Sequence, residues 1–152
     1  MSLTIWSNAT FADPVTQLLV EGTRGHTLLW SENASASVLA ASQPDPKLVA
    51  ADIAFGQPEP SQCLASGKLR WVEVTSAGYT RYDTPEFQEG FRARGSAFSN
   101  VSQVFADPCA QHLLAQMLAF GRRLLPSYKD QLTNRGWEYT QRRYDSRLLT
   151  GQ

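Results

Sequence analysis

Cysteine is scarce in this chain: its 152 residues hold two, Cys63 and Cys109. Two are too few for a disulfide framework, and their separation matches no zinc-ligand spacing, so no metal site is expected. Long apolar runs are missing as well. Nothing approaches the roughly 18 consecutive apolar residues of a membrane helix, so no membrane partner is expected. The opening Met1-Ser2-Leu3-Thr4-Ile5-Trp6 lacks a basic segment followed by an apolar run. A secretory signal is therefore not expected, and a reduced, cytoplasmic protein is the default. The sequons at Asn8, Asn33 and Asn100 then read as chance. Histidine is limited to His26 and His112, and the ten glycines are scattered, forming no phosphate-cradling turn and no G-x-G-x-x-G. Charge of one sign is not in excess, since 14 Lys+Arg balance 14 Asp+Glu. A nucleic-acid-binding domain is ordinarily basic as a whole, so no nucleic-acid partner is expected.

What is present is a core. At 42% hydrophobic and 11% aromatic, the composition is that of a globular domain and excludes disorder. The balanced charge conceals a division. Residues 1–90 carry 5 basic and 10 acidic side chains, a net of −5; residues 91–152 carry 9 and 4, a net of +5. The two stretches have different jobs.

Along the chain, short apolar runs alternate with helical stretches. Strands are predicted over Leu3–Ser7, His26–Trp30, Leu48–Phe55, Leu69–Val74 and Ser96–Asn100. Asp13-Pro14 reads as a helix cap followed by proline at the first helical position, opening a helix to about Glu21. A weak helix is expected over Ala34–Ser42, with Pro44 and Pro46 punctuating a turn after it. Further helices are expected over Pro60–Ser66, with Gly67 as a left-handed cap, and over Pro85–Arg94, stopping at Gly95. Strands separated by helical crossovers predict an α/β, flavodoxin-like three-layer domain with a five-stranded parallel sheet, spanning residues 1–102. Ligands of such sheets sit beyond the carboxyl ends of the strands. The loops Ser7–Thr10, Ser31–Asn33, Phe55–Pro58 and Thr75–Tyr79 are therefore the ones to watch.

Residues 103–152 differ. Asp107-Pro108 repeats the cap-and-proline signal, and a long helix runs to Leu125, where Pro126 ends or kinks it. It is apolar nearly all round, which predicts burial on most sides. A short helix is expected over Ser127–Asn134. From Arg135 the tail is polar and aromatic without a period, as expected of an extended arm.

Candidate chemistry is sparse. Cys109 and His112 share a helix face, but a nucleophilic pair also needs an orienting group and an oxyanion hole, and neither is recognisable. His26 at a strand start reads as structural. Asp52, in an otherwise apolar strand, is explained by a strand-end position. A phospho-receiver would need an acidic cluster where Ser7-Asn8-Ala9 stands. The best candidate is Thr75-Ser76-Ala77-Gly78-Tyr79, where small residues after a buried strand let backbone amides approach an anion such as a carboxylate.

Three segments together resemble the D-isomer-specific 2-hydroxyacid dehydrogenases. The first is Val72-Glu73-Val74-Thr75-Ser76-Ala77-Gly78-Tyr79-Thr80, like that family's strand and substrate loop. The second is Asn100-Val101 with Val104–His112, like its Asn-Val/Thr stretch and the helix beginning near Ala-Glu-His. The third is Leu113–Pro126 with Arg122-Arg123-Leu124, then Trp137 and the closing Leu148–Gln152. Their order and spacing agree from roughly Leu48 onward; residues 1–47 fit by βαβ pattern only. Tyr79-Thr80 stands where the family has an aliphatic residue and Asp, which would reshape the pocket rim. Gln111 replaces the family's Glu before His112 and removes a charge from the helix.

The resemblance implies an N-terminal substrate domain, then a helix crossing into an NAD-binding domain. The chain would stop before that domain's glycine-rich turn. The catalytic Arg, acidic residue and His would then lie outside it, leaving no catalytic residue in this chain. His112 matches the helix motif and not the proton donor. Substrate binding would fall on Ala54, Phe55 and Gly56 of one loop and on Ser76, Ala77 and Gly78 of the other. Ala77, Asp107 and Cys109 would face the cofactor, NAD or NADP in the full-length parent and none bound by this chain alone. The substrate would be a 2-oxo acid or D-2-hydroxy acid. Trp137 would belong to a dimerisation arm, giving a homodimer through the 107–125 helix and the 135–152 arm. The alternative is a free-standing flavodoxin-like binding or interaction module without catalysis.

Overall fold

The computed structural model describes residues 1–151 other than 36, 39 and 41. The chain divides into two compact units, Met1–Ser102 and Gln103–Gln152.

In the first unit β1 (Thr4–Ser7), β2 (Thr27–Trp30), β3 (Ile53–Gly56), β4 (Trp71–Val74) and β5 (Ala97–Asn100) form one sheet. Its order is β2-β1-β3-β4-β5 and every neighbouring pair is parallel. This is the flavodoxin-like order, so the α/β fold expected from the alternating pattern is present. The helices are α1 (Asp13–Gly22), α2 (Pro60–Ala65) and α3 (Pro85–Ala93), and a 3-10 turn spans Pro46–Ala50. Each has a proline at its first or second position, where its missing N–H is not needed. Asp45, Glu59 and Thr84 cap the last three elements, each accepting a bond from a backbone N–H of the first turn.

Several expected boundaries move. Asp13 is inside α1; the cap is Ala12, with no side-chain bond. The strand expected from Leu48 begins at Ile53, because the Asp45 cap draws the chain into the 3-10 turn first. Gly67 does not take the left-handed conformation expected of it, whereas Gly95 does, with φ 68°. The weak helix expected over Ala34–Ser42 includes residues 36, 39 and 41, which lie outside the described residues.

The pleat gives the sheet two unlike faces. The register aligns Trp6, Ala54, Val72 and Phe98 across four strands. Trp6, Ala54 and Val72 of this row, with Val74, join Leu48, Cys63, Leu69, Phe87 and Phe91 in the buried core, and half-buried Phe98 packs against it. The other face carries Ile53, Phe55, Glu73 and Ser99, all half-buried, and Trp71, which is 41% exposed. On this face Ile5 and Ser7 of β1 are buried, so it is covered at β1 and exposed at Trp71 of β4. At the amino edge, Asp52 accepts a bond from the Thr4 amide at 2.8 Å and pairs with Lys68 at 3.2 Å, which is the strand-end role expected of it.

The second unit is helical: α4 (Ser102–Gly121), α5 (Leu124–Thr133) and α6 (Tyr139–Asp145). The expected start at Asp107 is corrected, since α4 begins at Ser102 and encloses Pro108. That proline removes one bond of the helical ladder, and the turns on either side carry the helix past it. The long helix also ends earlier than expected. Arg123 adopts a left-handed φ of 56°, and Pro126 falls in the first turn of α5, where its missing N–H is harmless. The extended arm is likewise corrected, because residues 139–145 are helical and tied back to the unit. Arg142 pairs with Asp130 at 2.5 Å, and the Arg147 amide donates to the Gly121 carbonyl at 2.7 Å. Despite its apolar circumference, α4 has no buried residue. No helix among the described residues is long and apolar enough to cross a membrane.

Candidate functional site

The carboxyl ends of β1, β3, β4 and β5 meet in one hydrogen-bonded cluster. β1 ends at Ser7 and delivers Asn8. Its side-chain amide donates to the Gln57 carbonyl at 2.9 Å and its Oδ1 accepts from the Gln57 amide at 2.7 Å. Both residues are buried. Gly56 makes this closeness possible. It holds φ at 138°, and a Cβ there would lie 2.2 Å from Asn8 Oδ1. Only glycine accommodates both demands.

From Gln57 the network reaches the β4 loop. Its Nε2 donates to Ser76 Oγ at 3.1 Å and, more weakly, to Thr75 Oγ1 at 3.4 Å. Ser76 Oγ donates onward to the Gly78 carbonyl at 2.7 Å, and Asn100 Nδ2 donates to the Ala77 carbonyl at 2.8 Å. The loop's carbonyls are thus turned inward to side-chain donors. The backbone amides of Ser76, Ala77 and Gly78 have no acceptor among the described residues, and Ala77 and Gly78 are exposed. Consecutive free amides on a braced loop form a concavity suited to an anion.

Other groups stiffen the base of this edge. Tyr82 Oη donates to the Pro58 carbonyl at 2.7 Å; burial pushes its phenol above the ordinary range, which keeps it a donor. Asp45 is buried and would be raised by burial, but bonds from Ser31, the Lys47 amide and Trp6 Nε1 outweigh that and hold it below its usual value. Beside the β1 and β3 ends lies a cavity of about 340 Å³, lined by Thr10, Phe11, Ser35, Val38, Gln57 and Thr75 among others, with no charged side chain. Phe11 stacks on Phe55 with ring centroids 5.9 Å apart. None of Asn8, Gln57, Thr75, Ser76, Ala77, Gly78 and Asn100 is titratable, so the edge can bind and orient an anion but offers no proton from these residues.

The expected site residues divide accordingly. Gly56, Ser76, Ala77 and Gly78 come together at the carboxyl edge, and half-buried Phe55 stands just below them. Ala54 is fully buried in the core row, beneath the edge. Asp107, Cys109 and Trp137 belong to the second unit and are exposed there. His112 Nε2 has Gln116 Nε2 at 3.5 Å, and no bond joins it to Cys109. His26 Nδ1 accepts from the Leu3 amide at 3.2 Å, the structural role expected of it. Asn8 and Gln57 lie in the loops Ser7–Thr10 and Phe55–Pro58, but their reciprocal pairing depends on strand pairing and carries no local sequence signal. Among the described residues no group of three His, Cys, Asp or Glu side chains could hold a metal ion.

The turn after β1 has no glycine, so the glycine-rich phosphate turn of a dinucleotide-binding sheet is not present there. A scan of known protein families and a search of curated proteins find no match to this chain.

Proposed function

We propose that the first unit is the substrate-binding domain of an oxidoreductase acting on a 2-oxo acid or the corresponding D-2-hydroxy acid. The observation that carries this reading is the row of free amides at Ser76, Ala77 and Gly78, at the carboxyl end of β4 and braced by Gln57 and Asn100. They would hold the substrate carboxylate, as the resemblance of Val72–Thr80 to the dehydrogenase substrate loop implies. The neighbouring uncharged cavity offers room for the rest of the acid. NAD or NADP would serve as hydride carrier in the parent enzyme.

The exposed apolar row on α4, with Leu113, Leu114, Met117, Leu118 and Phe120, supports a homodimer through residues 107–125.

The binding reading is tested by titrating glyoxylate, pyruvate and hydroxypyruvate into isotope-labelled protein and following backbone amide resonances. Saturable shifts at Ser76, Ala77 and Gly78 are expected with the 2-oxo acids and not with sulfate. Equal shifts with sulfate would favour the alternative, a flavodoxin-like module that binds anions without catalysis. No shift at these three amides would overturn both.

A further inference from the structure

The second unit has a cavity of its own, of about 260 Å³ and open to solvent on one side, bordered by Arg122, Asp130, Trp137, Tyr139, Arg142 and Arg143, with Glu138 also at its wall. We infer that this cavity is a binding site for a small aromatic anion, one ring carrying one phosphate or comparable oxyanion.

Asp130 is already engaged by Arg142 at 2.5 Å. Arg122 makes no side-chain bond among the described residues, and Arg143 bonds only the Tyr139 hydroxyl, at 2.9 Å. Two guanidinium groups without a carboxylate partner therefore face one free carboxylate, that of Glu138. The surroundings reinforce them: from Arg122 to Arg147 there are seven basic and three acidic residues, a net of +4. A small anion entering such a field gains charge-assisted bonds from donors that are already in place.

The ring requirement comes from the aromatic wall. Trp137 is 77% exposed and Tyr139 is 53% exposed. Large aromatic surface left in water beside guanidinium groups suits a planar ligand, which stacks while its anionic substituent reaches the arginines. Size limits the ligand. At about 260 Å³ the cavity falls below the roughly 300–1,000 Å³ of drug-sized sites, so a single ring fits and a dinucleotide does not.

Calorimetric titration of the 152-residue protein with phenyl phosphate tests the inference. Saturable one-to-one binding is expected, weakening as salt rises. R122A and R143A should each weaken it by about tenfold, with helical content unchanged by circular dichroism. R24A, in the first unit, should have no effect. Quenching of Trp137 fluorescence by phenyl phosphate, lost in W137F, gives a readout that needs no arginine variant. Inorganic phosphate should bind more weakly and benzyl alcohol not measurably. The inference is overturned by absence of saturable binding, by benzyl alcohol binding as well as phenyl phosphate, or by R122A and R143A binding like the unmodified protein.

Discussion

Asn8 and Gln57, 49 positions apart, exchange two hydrogen bonds, at 2.9 and 2.7 Å, across the ends of β1 and β3. This reciprocal pair occupies the point where the strand order reverses, the place at which open parallel sheets bind ligands. It brings Gln57 Nε2 under the β4 loop and so couples the first strand of the fold to the amides of Ser76, Ala77 and Gly78.

Removing the pair should be costly. Asn8→Ala strands the buried N–H and carbonyl of Gln57, for a loss of about 2–4 kcal/mol. Gly56→Ala forces a Cβ against Asn8 Oδ1 at a φ of 138°, for about 3 kcal/mol or more. Because Asn8 supplies the atom that the new methyl meets, the double variant should lose less than the sum of the two. Urea denaturation of the three variants measures this; strict additivity would mean that the two residues do not meet as described.

The sheet was legible because its signals are local. Short apolar runs between proline-initiated helices specify parallel crossovers, and all five strands fall where those runs lie. The caps were harder to read. Asp-Pro occurs at Asp13-Pro14, Asp45-Pro46 and Asp107-Pro108. It caps a helix only at Asp45, where Trp6 Nε1 and Ser31 also converge on the carboxylate. The distinction depends on what lies across the fold, and a local pattern cannot supply it. The tail is hard to read for a related reason. The helix Tyr139–Asp145 has no apolar face; it is held by ion pairs to residues such as Asp130, far from it in the chain. In the site, small residues after β4 marked the loop, while the braces from Gln57 and Asn100 became visible only once the strands were paired.

Acid should weaken the fold through Asp45. Its folded pKa lies below the ordinary 3.8, so its contribution is complete above that value and is lost as pH falls through the lower folded value. Asp52 and Glu59 are shifted in the same direction. Asp45→Asn, which cannot accept at both oxygens, should lose about 2 kcal/mol at neutral pH. It should also show a shallower fall in stability below pH about 4 than the unmodified protein. Parallel stability-versus-pH curves for the two proteins would rule this out.

The two thiols should behave oppositely. Cys63 is fully buried, and its pKa is pushed up to about 12, chiefly by burial and further by the charge of Glu59. Cys109 is exposed on α4. A disulfide reagent at pH 8 should therefore label one thiol of the folded protein promptly and both only after unfolding. If α4 forms the proposed homodimer, labelling of Cys109 should also slow as protein concentration rises, in step with the mass seen by light scattering. A monodisperse monomer at micromolar concentration, with a concentration-independent rate, would count against the dimer.

Arg94 caps the carboxyl end of α2, the helix that carries Cys63. Its guanidinium donates to the carbonyls of Cys63, Leu64 and Ser66 at 2.7, 3.0 and 2.9 Å, while its Nε donates to Ser96 Oγ at 3.0 Å. It also lies 4.4 Å from the Phe91 ring centre. These carbonyls are the ones that six-residue α2 leaves without helical partners at its carboxyl end. A planar fork reaches three acceptors at once, which a lysine ammonium cannot do on the same stem. Arg94→Lys should cost about 1–2 kcal/mol and Arg94→Ala about 3 kcal/mol. The local consequence is more specific than the global one. With its end uncapped, α2 should open without complete unfolding, so the labelling rate of Cys63 in Arg94→Ala should rise more than the loss in global stability accounts for. Equal changes in the two quantities would mean that α2 and the sheet open together, and that Arg94 stabilises the whole unit without separately guarding its shortest helix.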